Sequence, residues 1–363
     1  MATIRPADLI RPEIRALQAY PVPDARGLIK LDAMENPYVW PDALRDEWLA
    51  RLREAPLNRY PDPQASPLKA RLRQAMAIPN DAALILGNGS DELIQLVILA
   101  LAAPGRTVLA PEPSFVMYRM IADFAGMSFA GVPLRDDDFS LDLTALLATL
   151  EDRQPAVVFL AYPNNPTGNR FAPEEVERII AAAPGLVVVD EAYFSFAEHS
   201  FLDSVPNHDN LLVMRTVSKM GLAGLRLGLL VGAPDWLAEL EKLRLPYNIN
   251  VLTQISAEFA LEHTALLAEQ ARCIRRDREL LGKALNALPG VTAYPSEANF
   301  ILFRTPPGSA KRVHGALREA GVLIKDLSRA HALLNDCLRV TVGTPEENQA
   351  FLNALAQALR ERP

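Results

Sequence analysis

Residues 213–232 read VMRTVSKMGLAGLRLGLLVG. Two apolar runs bracket a glycine-rich loop, which predicts strand–loop–strand. One amine, Lys219, stands behind Ser218 at the end of the first run, and Arg226 follows between two leucines. Alone, Lys219 is a surface lysine with its stem laid along apolar neighbours. Its meaning depends on what the other strand ends carry.

Outward from this stretch, short runs of Val, Ile and Leu alternate with helical patterns. AALILGNG (82–89) ends in glycines, and SDELIQLVILALAA (90–103) follows as a helix with Ser90 as its expected N-cap. TVLAPEPSF (107–115) is a strand entering a proline turn, and AVVFLAYPNNPTG (156–168) is a strand ending in a loop. EEVERIIAAA (174–183) is a helix; LVVVDEAY (186–193), NLLVMRTVS (210–218) and GLLVG (228–232) are strands. Apolar runs separated by helices predict an α/β fold with a mostly parallel sheet buried on both faces. Residues 253–288 contain almost no helix breaker and predict a long helix leading into a second unit. NFILFRT (299–305), GVLIKDL (321–327) and CLRVTVG (337–343) read as its strands, and 345–362 as a C-terminal helix. The expected division is an N-terminal arm over 1–40, broken by prolines, a large domain over 41–250 and a small α/β domain over 251–363.

Ligands of open parallel sheets sit beyond the carboxyl ends of the strands. Collected there are GNGSDE (87–92), YPNNPTG (162–168), DEAY (190–193) and Ser218–Lys219. The backbone N–H groups of Gly89, Ser90 and Asp91 open a helix, where anions are favoured. The bland reading is an ordinary capping turn; neither GxxxxGK[ST] nor GxGxxG is present. Asp190 ends a strand with no basic residue beside it, so it needs a partner: an arginine elsewhere, an N-cap, or a protonated ring nitrogen. Tyr193 lies three residues on, and Asn165 is set rigidly between Asn164 and Pro166. An amine in an apolar pocket titrates low. A neutral amine attacks carbonyls. The Arg226 guanidinium suits a phosphate. A Schiff-base lysine, a carboxylate, a phenol and a phosphate cradle are what pyridoxal 5'-phosphate requires.

Composition sets the bounds. The chain has 363 residues, half of them hydrophobic, and a net charge of −7. That is enough for two packed units, and the acidic balance argues against a nucleic-acid partner. Cys273 and Cys337 lie far apart without ligand-spaced neighbours, so no metal site or disulfide is expected and both are read as small core residues. No secretory leader and no bilayer-length apolar run is legible, so a cytoplasmic protein without a membrane partner is expected.

GNGSDE, YPNNPTG, VVVDEAY and SKMGLAGLRLG (218–228), in this order, resemble the fold-type I pyridoxal-phosphate-dependent aminotransferases. MENPY (34–38), NRYPDP (58–63), GVLIKD (321–326) and CLRVTVGTPEEN (337–348) resemble the histidinol-phosphate aminotransferase subfamily among them. The resemblance implies a large domain with a seven-stranded sheet sandwiched by helices, and a smaller C-terminal α/β domain. It implies that Lys219 holds the cofactor aldehyde and moves the proton, and that Asp190 pairs with the ring nitrogen. Tyr193 and Asn165 would meet the ring oxygen and Phe115 the ring face. Gly89, Ser90, Asp91, Ser218 and Arg226 would surround the phosphate. Tyr60 would reach the cofactor of the neighbouring subunit in a homodimer. Tyr20, Asn36, Lys325 and Arg339 would meet the substrate. Relatives more often carry Tyr at the position of Phe115, Asn at that of Met34 and Arg at that of Lys325; lysine keeps the charge and loses the fork.

The implied reaction, in histidine biosynthesis, is transamination between histidinol phosphate and 2-oxoglutarate, giving imidazole acetol phosphate and glutamate. The same parts serve an aromatic-amino-acid aminotransferase or a decarboxylase of a phosphorylated amino acid. A cofactor-binding regulator is a reading of another class; the arm is too short and proline-rich for a DNA-binding helix pair.

Overall fold

The structure is a computed structural model that describes residues 4–19 and 21–360. Its strands, in chain order, are β1 (Ile29–Lys30), β2 (Ala83–Gly87), β3 (Thr107–Glu112), β4 (Ser128–Pro133), β5 (Val157–Ala161), β6 (Leu186–Asp190), β7 (Leu211–Thr216), β8 (Gly228–Gly232), β9 (Thr292–Ala293), β10 (Phe300–Arg304), β11 (Val322–Leu323), β12 (Lys325–Asp326) and β13 (Cys337–Thr341). Seven of them form one sheet in the order β2-β8-β7-β6-β5-β3-β4. Only β8 runs antiparallel to its neighbours. The sheet is therefore mostly parallel, as expected.

Side-chain alternation explains why these runs carry so few polar residues. Val158, Leu160, Val187, Val189, Leu211 and Val213 enter one core, while Val157, Phe159, Leu186, Val188, Leu212 and Met214 enter another. A strand covered on both faces must be apolar at every position. Helices Ser66–Ala75, Leu143–Arg153 and Pro173–Ala182 close the first core. Helices Ser90–Leu101, Met117–Ala125 and Pro234–Glu241 close the second.

A third core belongs to the smaller unit, where β12, β13, β10 and β9 form an antiparallel sheet. Helices Thr264–Asn286, Ala310–Glu319 and Pro345–Arg360 pack on it. Separately, β1 pairs in parallel with β11, so the end of the N-terminal arm is joined to this smaller unit.

Three local expectations are corrected. Ser90 is the first residue of its helix and does not cap it; Gly89 is the N-cap. Gly89 sits at φ +84°, which side-chain-bearing residues avoid, so the chain turns sharply there and Ser90 enters the helix. The expected helix through 253–288 is two helices, Val251–Glu262 and Thr264–Asn286, interrupted at His263. The first packs on helices Asp42–Arg53 and Ser66–Ala75, the second on β9, β10 and the C-terminal helix, so the break falls where the packing partner changes. Of the two cysteines, Cys337 is buried as expected, but Cys273 is only partly so, lying on the outer side of its helix near Glu269.

Behind the carboxyl end of β6, Glu191 accepts from Arg215 of β7, Nε to Oε2 2.8 Å, and both side chains are buried. The Phe201 N–H and the Ser200 hydroxyl also donate to Glu191. Removing one partner of such a pair leaves a charge stranded in a dry interior. Arg215→Ala is expected to lower the unfolding free energy by about 3–5 kcal/mol, measured as a shift of the urea midpoint. An unchanged midpoint would show that the pair braces nothing.

Candidate active site

The carboxyl ends of β2, β5, β6 and β7 open onto one cleft of about 360 Å³. Ser90, Asp91, Phe115, Asn165, Asp190 and Tyr193 line it, together with Ser218, Lys219 and Arg226. The polar residues singled out at separate strand ends are thus brought to one place by strand order alone.

Asp190 is the last residue of β6 and is buried. Its Oδ2 accepts from the Tyr118 hydroxyl at 2.7 Å and its Oδ1 from the Ala192 N–H at 3.1 Å. Burial pushes its carboxyl up to about 6, and these two donors restrain the rise. Among the described residues no cation pairs with it. The partner that the sequence required is therefore not an arginine but a phenol, Tyr118, which sequence reasoning missed. The signal was available: Tyr118 closes the PSFVMY stretch that supplies Phe115.

Lys219 lies in the short 3₁₀ turn Ser218–Met220 that follows β7. Its Nζ is 3.4 Å from the Ala33 carbonyl oxygen and 6.0 Å from the centre of the Tyr193 ring. Burial lowers its amine to about 8, and the charge of Arg339 adds to the effect. A substantial neutral fraction exists near physiological pH.

One end of the cleft is built for an anion. Helix Ser90–Leu101 points its N-terminus there, carrying about half a positive charge. A side chain at Gly89 would lie 2.6 Å from Arg226 Nη2, and one at Gly228 would lie 2.7 Å from the Gly89 carbonyl carbon. At 228 the obstacle is backbone, so glycine is needed for the two segments to come this close; at 89 the half-exposed Arg226 tip can swing aside, and the positive φ is what calls for glycine. Arg226, in the left-handed region at φ +50°, meets Asp91 at 3.6 Å, with both side chains about half exposed. Such a pair is weak and leaves the guanidinium available. The Ser218 hydroxyl is held by Thr216 Oγ1 at 2.8 Å.

The remaining residues separate into two groups. Arg339 of β13 donates to Asn165 Oδ1 and, at 3.0 Å, to the Asp32 carbonyl oxygen. With Lys325 it lines an adjoining hollow of about 300 Å³, which shares Met34, Phe115 and Asn165 with the cleft. Tyr193 donates to Met34 Sδ at 3.0 Å and packs edge-on against Phe300. Asn36 and Tyr60 line neither the cleft nor the adjoining hollow. The Asn36 amide donates to Gln270 and to the Met220 carbonyl oxygen, and its oxygen accepts from the Tyr38 N–H, so it braces the turn beyond Lys219. Tyr60 is on the surface, 80 % exposed, stacked on Tyr247 at 4.5 Å. Tyr20 lies outside the described residues.

A planar aldehyde with a basic ring nitrogen and a phosphate tail matches this donor set. The amine has a lowered proton affinity, the buried carboxylate has no cation among the described residues, and the anion cradle has no room for a Cβ at position 228.

Comparison with known proteins agrees with this chemistry. The family described as Aminotransferase class I and II matches residues 26–355. The chain is 62% identical over 355 residues to histidinol-phosphate aminotransferase 2 of Nitrosococcus oceani, covering 98% of each. It is 56% identical over 347 residues to histidinol-phosphate aminotransferase of Chromobacterium violaceum, covering 96% of this chain and 97% of that one. In fold it is similar to the crystal structure of histidinol-phosphate aminotransferase from Sinorhizobium meliloti in complex with pyridoxal-5'-phosphate, with TM-score 0.85, 24% identity, and 97% and 98% of the two chains covered.

The depressed proton affinity of Lys219 is directly measurable. At neutral pH its neutral fraction should exceed that of an ordinary lysine by roughly a few hundredfold. Trinitrobenzenesulfonate labelling of the cofactor-free protein, followed by peptide mass spectrometry, should mark Lys219 first, with a rate rising through a midpoint near pH 8. Labelling no faster than surface lysines would contradict the burial assigned to it.

Proposed function

The chain belongs to the class I and II aminotransferases, and from that membership we propose that it transfers an amino group between histidinol phosphate and 2-oxoglutarate. The products are imidazole acetol phosphate and glutamate, and the reaction belongs to histidine biosynthesis. The observation that carries the chemistry is the convergence of Lys219, Asp190 and the start of helix Ser90–Leu101 on one cleft. The substrate follows from the full-length identity to proteins bearing that activity in their names.

Pyridoxal phosphate, when bound, supplies a conjugated electron sink for negative charge at the substrate α-carbon. Lys219 would hold its aldehyde and Asp190 its ring nitrogen. Tyr193 and Asn165 would meet the ring oxygen and Phe115 the ring face. The N–H groups at Gly89, Ser90 and Asp91, with Ser218 and Arg226, would take the phosphate.

The remaining work falls to the protein's own groups. The neutral amine of Lys219 accepts the proton of the substrate α-carbon and later returns one, a role suited to a group titrating near the working pH. Asp190 stays ionised because Tyr118 and Ala192 donate to it, and a fixed negative charge below the cleft favours a cationic ring. Arg339, anchored on Asn165 and Asp32, presents a guanidinium for the substrate's carboxylate or phosphate. Lys325, in the adjoining hollow, adds a point charge without a fork. Together they suit one site to a γ-carboxylate on one substrate and a phosphate on the other.

The proposal includes a homodimer in the cytoplasm. Tyr60 and Tyr247 stack on each other at the surface, and Leu57 and Leu245, near them in sequence, are also exposed, which supports Tyr60 acting at the cofactor of a second copy. Among the described residues no helix is long and apolar enough to cross a membrane. We also propose the division into an arm over 1–40, a large domain over 41–250 and a small domain over 251–363; the core formed by β10, β13 and the last three helices supports the small domain, although helix Val251–Glu262 packs on the large one.

A stopped-flow half-reaction tests the substrate. Histidinol phosphate should convert the holoenzyme spectrum faster than glutamate, phenylalanine or threonine phosphate. Faster conversion by phenylalanine, or carbon dioxide release from threonine phosphate, would overturn the assignment. Lys219→Ala should lose the covalently bound cofactor, seen by borohydride trapping and mass spectrometry. Its turnover should fall by at least about a hundred- to ten-thousand-fold, the range of general-base catalysis. Lys325→Ala should raise KM for histidinol phosphate about tenfold, as expected for loss of one charge-assisted contact, and Lys325→Arg should restore it. An unchanged KM would remove Lys325 from the site.

A further inference from the structure

The side chain beneath the cleft that no expectation included is Tyr118. It is fully buried on helix Met117–Ala125. Its ring stacks on Phe159 of β5 at 4.7 Å and 13° between planes, and meets Phe115 edge-on at 5.6 Å. Its hydroxyl donates to Asp190 Oδ2 at 2.7 Å. One residue therefore touches both the carboxylate at the floor of the cleft and the aromatic ring at its wall, and one stacked and one edge-on neighbour fix its orientation. We propose that Tyr118 is a positioning residue for the transamination: its hydroxyl aims the Asp190 carboxylate and keeps it anionic beneath the ring nitrogen of the cofactor. This rests on the reading that Asp190 meets that nitrogen.

The direction of the hydrogen bond follows from the surroundings. Burial and the neighbouring Asp190 charge hold the Tyr118 phenol well above its ordinary range, so it keeps its proton and can donate. Asp190 needs that donor. Burial raises its proton affinity, and the charges of Asp91 and Glu191 raise it further; Tyr118 and the Ala192 N–H are the groups that lower it. Tyr193 and Lys219 face the same cleft. Without the Tyr118 hydroxyl the carboxylate holds a proton more readily, and its negative charge beneath the ring is weakened. The ring nitrogen then keeps its own proton less firmly. The nitrogen joining Lys219 to the cofactor loses a nearby positive charge and retains its proton to higher pH.

The test is the pH titration of the holoenzyme absorbance, which reports that linking nitrogen directly. Tyr118→Phe keeps both ring contacts and removes one hydroxyl. Its spectral midpoint should rise by about one unit, the worth of one hydrogen bond to a charged group, and kcat should fall with KM for histidinol phosphate little changed. Site-specific 3-fluorotyrosine at position 118 keeps the fold, sharpens the donor and should move the midpoint down; it also serves should the phenylalanine variant not fold. In an Asp190→Asn background, Tyr118→Phe should shift nothing further. A lowered thermal midpoint with the spectral midpoint unmoved by either substitution would make Tyr118 a packing residue and overturn the inference. Should Asp190→Asn itself leave the spectrum unmoved, the pairing of Asp190 with the ring falls, and this inference with it.

Discussion

A carboxylate buried without a counter-cation is the constraint on which the cleft depends. Asp190 and Glu191 are consecutive, yet they meet opposite solutions to the same cost of desolvation. Glu191 reaches Arg215 and is neutralised within the protein. Asp190 faces the cleft and, among the described residues, has only a phenol and a backbone N–H. Two neutral donors ease the penalty without cancelling the charge. The protein retains, at the floor of this cleft, a negative charge best completed by a positive ligand atom. Strand β6 must end where it does for this to hold, and the Glu191–Arg215 pair immediately behind it stiffens that end.

The same economy governs the amine. Lys219 is held on a 3₁₀ turn between β7 and β8, in surroundings apolar enough to weaken its hold on a proton. The positive charges of Arg226 and Arg339 act in the same direction. Amine, carboxylate and anion cradle come from different strands, so no single loop builds the site. Sheet order does, with glycine at 228 permitting the closest backbone approach.

Much of this was legible in the sequence. Val, Ile and Leu runs such as 157–161 and 186–190 can only be strands covered on both faces, and the polar residues at their ends had to face one edge. The cleft residues at 90, 91, 115, 165, 190, 193, 218, 219 and 226 were readable from that logic and from the family motifs. What was not legible depends on contacts between distant segments. Tyr118 looks like any apolar helix residue until its hydroxyl is seen against Asp190. The break at His263 has no proline or glycine to announce it; it falls where the packing partners change. Asn36 sits in a motif that suggests contact with substrate, yet its amide is spent on Gln270 and Met220. Ser90 has the side chain of a cap, and a glycine takes the position because only its backbone reaches the required angle.

The pairing of β1 with β11 changes the standing of the amino-terminal segment. Ala33, Met34 and Glu35, which line the cleft opposite the large sheet, follow directly from a strand zipped to the smaller unit. Arg339 holds the Asp32 carbonyl oxygen from the same side. The early residues and the late ones thus make up one jaw, although some three hundred positions of sequence separate them. A chain shortened past this strand would keep every member of the large sheet, and its cleft would stand open on one side.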